Sequence, residues 1–213
     1  DTLGERIREM GGGVHIGAGV RRIEIEDGRA VGLEVEVPGR SVQVRRYDAV
    51  IATTPSYVFT RLVPPLPEEY SKKLTNVTYL AAVLMVFALN RPLSQMYWLN
   101  VADRSVPFVG VIEQTNFVDP SLYGGKHVVY FSNYPSSQNP LYHKSAEELL
   151  EDFKPHLKRI NPDFDPSWIE EYYHHKVDAA QPIIGVDYTQ RIPELRTPIK
   201  GLYLANTTQI YPE

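Results

Sequence analysis

The sequence predicts an α+β fold: an antiparallel sheet with a helix, flanked by partial elements of an α/β layer. Near the amino end, apolar segments are separated by the turn dipeptides Asp27-Gly28 and Pro38-Gly39, which are typical of antiparallel hairpins. The segment Asp48–Pro55 has a polar start, a run of apolar residues without alternation and a proline stop, as in a strand buried on both faces of a layered α/β sheet. The second half contains further strand-like segments around a helix with a capping box.

The composition is that of a globular protein and excludes several classes of function. With 213 residues, 43% of them hydrophobic, the chain can bury one large domain or one and a half smaller ones. Its 22 basic and 26 acidic residues are interspersed, so no basic stripe is available for a nucleic acid. Without cysteine there is no disulfide, thiolate metal site or cysteine nucleophile, which suits a reducing cytoplasm. The longest apolar stretch, Leu80–Leu89, is too short for the roughly 20 residues of a transmembrane helix.

The segment up to Pro55 predicts a short helix, a three-stranded meander and the buried strand. Leu3, Ile7 and Met10 recur at helical spacing, and Gly11-Gly12-Gly13 supplies the left-handed cap that ends such a helix. The strands of the antiparallel meander are predicted from Val14–Ile16 with Val20, Ile23 and Ile25, from Val31–Val37, and from Val42–Val44.

The proline-rich stretch Val63–Pro67 is where we expect the chain to cross into another domain, because it can continue neither a helix nor a central strand. Beyond it, Ser145–Glu148 is a capping box for a helix that runs to about Arg159. Gly201–Asn206 predicts one more buried strand. The remaining strand-like segments are Thr78–Leu89, Pro107–Gln114, His127–Tyr134 and Trp168–Ala179.

Three candidate motifs for binding or catalysis are weak. Ile16–Gly19 is similar to a dinucleotide-binding turn, but Arg22 replaces the third glycine and the chain continues as a strand, so a plain turn is favoured. His174 and His175 are adjacent and would point to opposite faces of a strand, so we expect no shared metal ion. Glu113 and Asp119 form a weak candidate for paired carboxylates, since nothing in the sequence sets their separation.

Aromatic residues are frequent in the second half of the chain. They fit either a sheet core or the wall of a pocket for a bulky, mostly apolar substrate, and for any single one the core is favoured. Tyr97, Phe117 and Tyr130 are our candidates for the pocket wall. The full set is Tyr97, Trp98, Phe108, Phe117, Tyr123, Tyr130, Phe131 and Tyr134.

Taken in order, several phrases of the sequence resemble a known family. Leu3–Ile7 with Gly11-Gly12, the segment Val14–Ile23, the turn Asp27–Arg29 and the run Asp48–Pro55 resemble the middle of flavin amine oxidases, protoporphyrinogen oxidases and phytoene desaturases. Gly201–Asn206 is similar to the family's last FAD-domain strand, G-L-F-L-A-G-D. The resemblance covers nearly the whole chain as an ordered series of individually short motifs.

This resemblance implies FAD as the cofactor and a set of residues near it. Val20 would contact the adenine through its backbone, and the turn Thr53-Thr54-Pro55 would lie near the cofactor. Asn206 would lie at the end of the last strand, facing the pyrophosphate, although Asn206-Thr207 replaces the family's Gly-Asp pair. The flavin would accept a hydride from the substrate, so no protein acid or base is obligatory and no catalytic residue is assigned.

The resemblance also implies a division into domains. Residues 1–64 would be part of an FAD-binding domain, residues 65–198 the substrate-binding domain, and residues 199–213 a return strand. Because the family's G-x-G-x-x-G motif and closing helix are missing, we expect an internal fragment that alone binds FAD poorly and catalyses nothing. The parent protein is expected to be cytoplasmic, with membrane attachment and a homodimer left open, and to act on a small-molecule substrate.

Two alternatives stay open at this stage. A UDP-galactopyranose mutase-like enzyme shares the flavin scaffold but uses reduced flavin as a nucleophile on a sugar nucleotide. Such a site would need arginines for the diphosphate, and Arg91, Arg104, Arg191 and Arg196 are available. The other alternative is a non-catalytic module that binds an apolar molecule without flavin.

Overall fold

The computed structural model describes residues 2–211 and divides the chain into two compact units. The first unit comprises the chain up to Val77 and from Ile184 onward, and the second is Thr78–Ile183. The chain therefore changes units after the proline-rich stretch Val63–Pro67, and returns before residue 199. Both boundaries differ from those expected from the sequence.

Helix α1 (Thr2–Glu9) opens the first unit and ends as predicted at a glycine. Gly11 has a φ of 83°, and the next N–H, that of Gly12, donates back to the carbonyl of Ile7 at 2.9 Å. This left-handed residue with its back-reaching hydrogen bond satisfies carbonyls that the end of a helix leaves open.

The predicted meander is confirmed as the antiparallel sheet β1 (Gly19–Glu26), β2 (Arg29–Glu36) and β3 (Gln43–Arg46). The β1–β2 turn has positive φ at both Asp27 and Gly28, as a two-residue hairpin requires. Segment Val14–Ile16 lies outside the strands, so β1 begins later than its apolar pattern suggested.

Strand β4 (Val50–Ala52) follows the meander, and two helices that the sequence analysis missed come next. Helix α2 spans Ser56–Leu62 and helix α3 spans Glu68–Thr75. Both begin directly after a proline, Pro55 and Pro67, whose fixed φ is compatible with the start of a helix. The proline-rich stretch therefore joins two helices within one unit.

The second unit is a five-stranded antiparallel sheet in the order β6-β7-β8-β5-β9. The sequence predicted the long strand Tyr79–Leu89 and the helix Ala146–Leu157, but neither the three-residue strand Trp98–Asn100 nor the short helix Pro140–His143. The elements are β5 (Tyr79–Leu89), β6 (Trp98–Asn100), β7 (Gly110–Glu113), β8 (His127–Asn133), α4 (Pro140–His143), α5 (Ala146–Leu157) and β9 (Ile169–Pro182).

Helix α5 covers one face of this sheet. It begins at the predicted capping box, in which Ser145 Oγ accepts from the N–H of Glu148 and the Glu148 carboxylate accepts from the N–H of Ser145. The ring of Phe153 on α5 lies 5.1 Å from that of Phe108, just before β7, and 6.2 Å from that of Phe131 on β8, edge to face in both cases. This aromatic cluster is the centre of the second unit's core.

Strand β10 (Leu202–Leu204) returns to the first unit and pairs in parallel with β4. The prediction that β4 is buried on both faces is wrong for the described residues, because Ile51 is 66% exposed between buried Val50 and Ala52. One face of this two-stranded sheet packs on Phe59 and Leu74 of helices α2 and α3, and Ile51 lies on the other. Among the described residues, no helix is long and apolar enough to span a membrane.

Candidate functional site

The carboxyl ends of β4 and β10 lie side by side in the first unit. The register pairs Leu204 with Ala52, and the N–H of Ala205 continues the ladder by donating to the carbonyl of Ala52 at 2.9 Å. The two segments that follow, Thr53–Pro55 and Asn206, therefore leave the sheet at the same edge. In open α/β sheets this edge is where ligands bind. The structure thus brings four of the five predicted cofactor residues together.

Asn206 joins the two strand ends through its side-chain amide. Its Nδ2 donates to the carbonyl of Thr54 at 2.9 Å, and its Oδ1 accepts from the N–H and hydroxyl of Thr208 at 3.0 and 2.6 Å. The backbone N–H of Asn206 donates to the side chain of Gln209 at 2.9 Å. The Asn206 side chain is therefore occupied in shaping the edge.

The hydroxyl of Thr54 is a polar group at this edge that the described residues leave unpaired. Its Oγ1 is buried and has no hydrogen-bond partner among them, which costs free energy unless a partner is supplied. The neighbouring residues Thr53 and Ala205 are exposed. A ligand with hydrogen-bonding groups, such as a dinucleotide, fits an edge that combines an unpaired buried hydroxyl with exposed residues.

Val20, the fifth predicted cofactor residue, lies on a different sheet. It pairs with Val35 on β1 and β2, next to a bulge at Arg21, and its side chain is 40% exposed. Its backbone role toward an adenine stays a prediction.

The second unit has a row of partly exposed apolar side chains on the face that α5 does not cover. Directly opposed residues of neighbouring strands share a face of the sheet. Tyr130 on β8 is opposed to Val86 on one side and to Ile112 on the other. Trp98 on β6 and Tyr173 on β9 extend this row, and each is about half exposed. We call these five residues the open-face row.

Tyr130 therefore lies at the centre of the open-face row. This position is compatible with its predicted place in the wall of a pocket. Burial raises the pKa of its phenol, and the nearby phenol of Tyr123 contributes in the same direction. The hydroxyl of Tyr130 stays protonated throughout the physiological range and can act as a hydrogen-bond donor to a substrate.

Tyr97 and Phe117 form a separate aromatic pair at the β6 end of the sheet. Their ring centroids are 5.2 Å apart, and the rings are 41% and 75% exposed. The structure thus brings two of the three predicted pocket residues into contact with each other, while Tyr130 lies on the open-face row. The roles of all three toward a substrate stay predictions.

The suggestion that Glu113 and Asp119 are paired carboxylates is wrong. Glu113 is only 1% exposed, and its two oxygens accept hydrogen bonds from the N–H groups of Leu93 and Ser94 and from the Ser94 hydroxyl, at 2.7–2.9 Å. Asp119 instead caps the short 3₁₀ turn Pro120–Tyr123 by accepting from the N–H of Ser121. Both carboxylates hold local backbone, which sequence spacing could not reveal.

His174 and His175 face opposite sides of β9, as predicted. His174 is opposed to buried Met85 on the covered face, and His175 to Leu84 on the open face. Burial lowers the pKa of His174, with Lys176 and His175 acting in the same direction, and its Nε2 is buried without a partner among the described residues. Within residues 2–211, no cluster of potential metal ligands is found.

Comparison with solved structures shows the same fold in several proteins. An oxidoreductase from Methanosarcina mazei is 24% identical with a TM-score of 0.69, over 97% of this chain and 47% of that protein. A candidate protoporphyrinogen oxidase from Exiguobacterium sp. 255-15 is 16% identical with a TM-score of 0.68, over 97% and 46%. A reduced UDP-galactopyranose mutase is 15% identical with a TM-score of 0.66, over 89% and 40%.

The chain spans less than half the length of each of these three proteins. No curated protein matches it significantly. The family model of flavin-containing amine oxidoreductases matches residues 1–212, which is nearly the whole chain. The predicted resemblance is thereby confirmed, and this chain belongs to the family of flavin-containing amine oxidoreductases.

Proposed function

We propose that this chain forms part of an FAD-dependent oxidoreductase that oxidises or desaturates a C–N or C–C bond in a bulky organic substrate. The first unit would contribute to the FAD-binding domain, and the second would be the substrate-binding domain. The observation that carries the proposal is the junction of β4 and β10, where Asn206 joins the strand ends beside the unpaired hydroxyl of Thr54.

The chain's own residues would have distinct tasks in holding FAD. Thr54 Oγ1 would gain a hydrogen-bond partner, and the exposed residues Thr53 and Ala205 would contact the nucleotide. Asn206 would act indirectly, by holding the two strand ends at a constant separation. When bound, the flavin supplies the hydride acceptor, and the protein supplies orientation and a cavity that excludes water.

The open-face row supports a bulky, mostly apolar substrate. Val86, Ile112 and Tyr130 present apolar surface flanked by Trp98 and Tyr173, and the Tyr130 hydroxyl is a polar group that could orient the substrate. The protoporphyrinogen oxidase named among the structural relatives would have a substrate of this kind.

The mutase alternative is less well supported by the second unit. None of the five strands β5–β9 contains an arginine, so this sheet offers no guanidinium to a diphosphate. The guanidinium of Arg91 lies instead over the ring of Trp168, 4.9 Å from its centroid. Among the other arginines considered, Arg104 lies in a turn, and Arg191 and Arg196 belong to the first unit.

We further propose that residues 1–213 alone bind FAD weakly and do not oxidise a substrate. The turn at Gly17 leads into strand β1, so it cannot present the helix terminus that usually binds a pyrophosphate. Tight, stoichiometric uptake of FAD by the 213-residue chain would contradict this part of the proposal.

The test of the function is anaerobic reduction of the protein expressed from its complete coding sequence and loaded with FAD. Candidate amines, porphyrinogens and carotenoid precursors are added in turn while the visible flavin absorbance is recorded. Bleaching by one of these compounds supports an oxidase or desaturase. If a UDP-sugar binds tightly and none of the compounds bleaches the flavin, the mutase alternative replaces the proposal.

A further inference from the structure

The first unit has a recess at the end of the β4–β10 sheet that is opposite to Thr54 and Asn206. It lies where the two strands begin, since the N–H of Val50 donates to the carbonyl of Gly201 at 2.8 Å. Its volume is about 290 Å³, which is small for an organic ligand and sufficient for an inorganic anion or the end of a larger molecule. The recess is lined by Arg29 and residues 196–203.

Three cationic residues of this recess are held in place by the backbone. Arg29 at the start of β2 forms a parallel bridge with Lys200, and Arg196 forms an antiparallel bridge with Tyr203. The N–H of Lys200 donates to the carbonyl of Gly28 at 3.0 Å, and its carbonyl accepts from Ala30 at 2.8 Å. Arg29, Lys200 and Arg196 therefore project from neighbouring, hydrogen-bonded segments, and we call them the cationic triad.

The guanidinium of Arg29 is oriented before any ligand binds. Its Nη2 donates to the carbonyl of Asp48 at 3.0 Å. Gly201 has a φ of 70°, and a Cβ at this position would lie 3.7 Å from the Arg29 guanidinium carbon. The guanidinium thus rests against a residue without a side chain, with its remaining N–H groups available for a ligand.

The cationic triad has no carboxylate partner within the described part of the chain. Asp27 and Asp48 lie in the adjoining turns, yet neither forms an ion pair with Arg29, Arg196 or Lys200 in residues 2–211. This is notable in a chain with a net charge of −4. Three unpaired cations around one recess create a local positive potential that favours an anion.

Another groove of the same unit shows the opposite arrangement for two of its arginines. It is lined by Arg21 and Arg22, but Arg21 forms a bidentate pair with Glu36 at 2.7 and 2.8 Å. Arg22 pairs with Glu24 and Glu34, both at 2.9 Å. Arg21 and Arg22 of that groove are therefore neutralised within the chain, whereas the cationic triad is not.

We propose that the cationic triad binds the phosphate group of a phosphate monoester. Two guanidinium groups and an ammonium match the charge and the several acceptor oxygens of a phosphate better than those of a carboxylate. The site lies at the amino ends of the strands, so it is separate from the edge proposed for FAD and does not depend on that proposal.

The test is a titration of the 213-residue chain with inorganic phosphate, at ionic strength kept constant with chloride, followed by the backbone amide signals of residues 196–203. Arg196→Gln and Lys200→Gln each remove one cation of the triad. Arg61→Gln is the matched control, because it removes one positive charge from the other groove of the same unit.

Saturable shifts confined to the recess are expected, with Kd raised about tenfold by Arg196→Gln or Lys200→Gln and unchanged by Arg61→Gln. Shifts spread over all basic residues, or equal weakening by all three variants, would overturn the site. Sedimentation with phosphatidylcholine vesicles, with and without phosphatidic acid, distinguishes the source of the phosphate. Cosedimentation that Lys200→Gln abolishes would identify a lipid headgroup, whereas phosphate binding without cosedimentation would identify a soluble ester.

Discussion

The side-chain amide of Asn206 donates a hydrogen bond to the backbone carbonyl of Thr54, 2.9 Å away, across 152 positions of sequence. This bond joins the ends of two parallel strands that the chain reaches before and after it builds the entire second unit. The Asn206 amide therefore adds a side-chain contact, beyond the last rung of the β4–β10 ladder, between the two segments proposed to hold FAD.

Replacing Asn206 with Asp should destabilise the first unit by about 2 kcal/mol, because an acceptor would then face the Thr54 carbonyl in place of the donor. Urea denaturation measures the free energy of unfolding. The control is Asn139→Asp, since Asn139 caps α4 only by accepting from the N–H of Leu141, and Asp can do the same. Equal effects of the two substitutions would show that the Asn206–Thr54 bond contributes nothing specific.

Thr54→Val should stabilise the chain without FAD by about 1 kcal/mol, because it removes a buried hydroxyl that has no partner among the described residues. Thr208→Val is the paired comparison. The Thr208 hydroxyl is buried and donates to Asn206 Oδ1 at 2.6 Å, so its loss should destabilise by about 1 kcal/mol. Thermal unfolding of both variants checks that their stabilities change in opposite directions. Destabilisation by Thr54→Val would indicate that the Thr54 hydroxyl already has a hydrogen-bond partner.

Glu113→Gln should destabilise the second unit by about 2–3 kcal/mol, because an amide cannot accept all three hydrogen bonds from Leu93 and Ser94. The exposed Glu151 serves as the control, since surface ion pairs contribute little. Urea denaturation is again the measurement. A Glu113→Gln variant as stable as Glu151→Gln would mean that the carboxylate does not hold this loop.

His174 should make the second unit less stable as the pH falls below the ordinary histidine pKa of 6.5. Because burial lowers the pKa of His174 in the folded chain, the unfolded chain binds the proton at a higher pH, and acid therefore favours unfolding. As the pH is lowered from 7 to below 6.5, the free energy of unfolding should decrease less for the His174→Gln variant than for the unmodified chain. An unchanged dependence in the His174→Gln variant would contradict this assignment.

Local patterns predicted those elements that are stabilised locally. The glycine end of α1, the hairpin at Asp27-Gly28 and the capping box at Ser145 are each specified by a few adjacent residues. Strand β6 was missed because its three residues contain no periodic signal and become a strand only by pairing with β7. Helices α2 and α3 were missed because the prolines were interpreted as stops, whereas Pro55 and Pro67 directly precede the first turns of these helices.

The residues of the candidate cofactor site were predicted through resemblance to a family, but the geometry that brings them together was not predicted. Thr53–Pro55 and Asn206 were identified individually, but their hydrogen bond depends on the parallel register of β4 and β10. The open-face row likewise depends on registers between strands, which the sequence does not encode in any short pattern. Within this row, the sequence analysis named Tyr130 as a candidate for the pocket wall and Trp98 among the aromatic residues. Its other members, Val86, Ile112 and Tyr173, required the structure.

The most direct test of the proposed cofactor site is the amount of FAD retained by the protein expressed from its complete coding sequence. Flavin absorbance per protein is measured after gel filtration for the unmodified protein, Thr54→Val, Asn206→Asp and the control Asn139→Asp. The account predicts that the unmodified protein and the control retain FAD while the Thr54 and Asn206 variants lose most of it. Equal retention by all four proteins, or no flavin in any after incubation with FAD, would contradict the assignment of this edge.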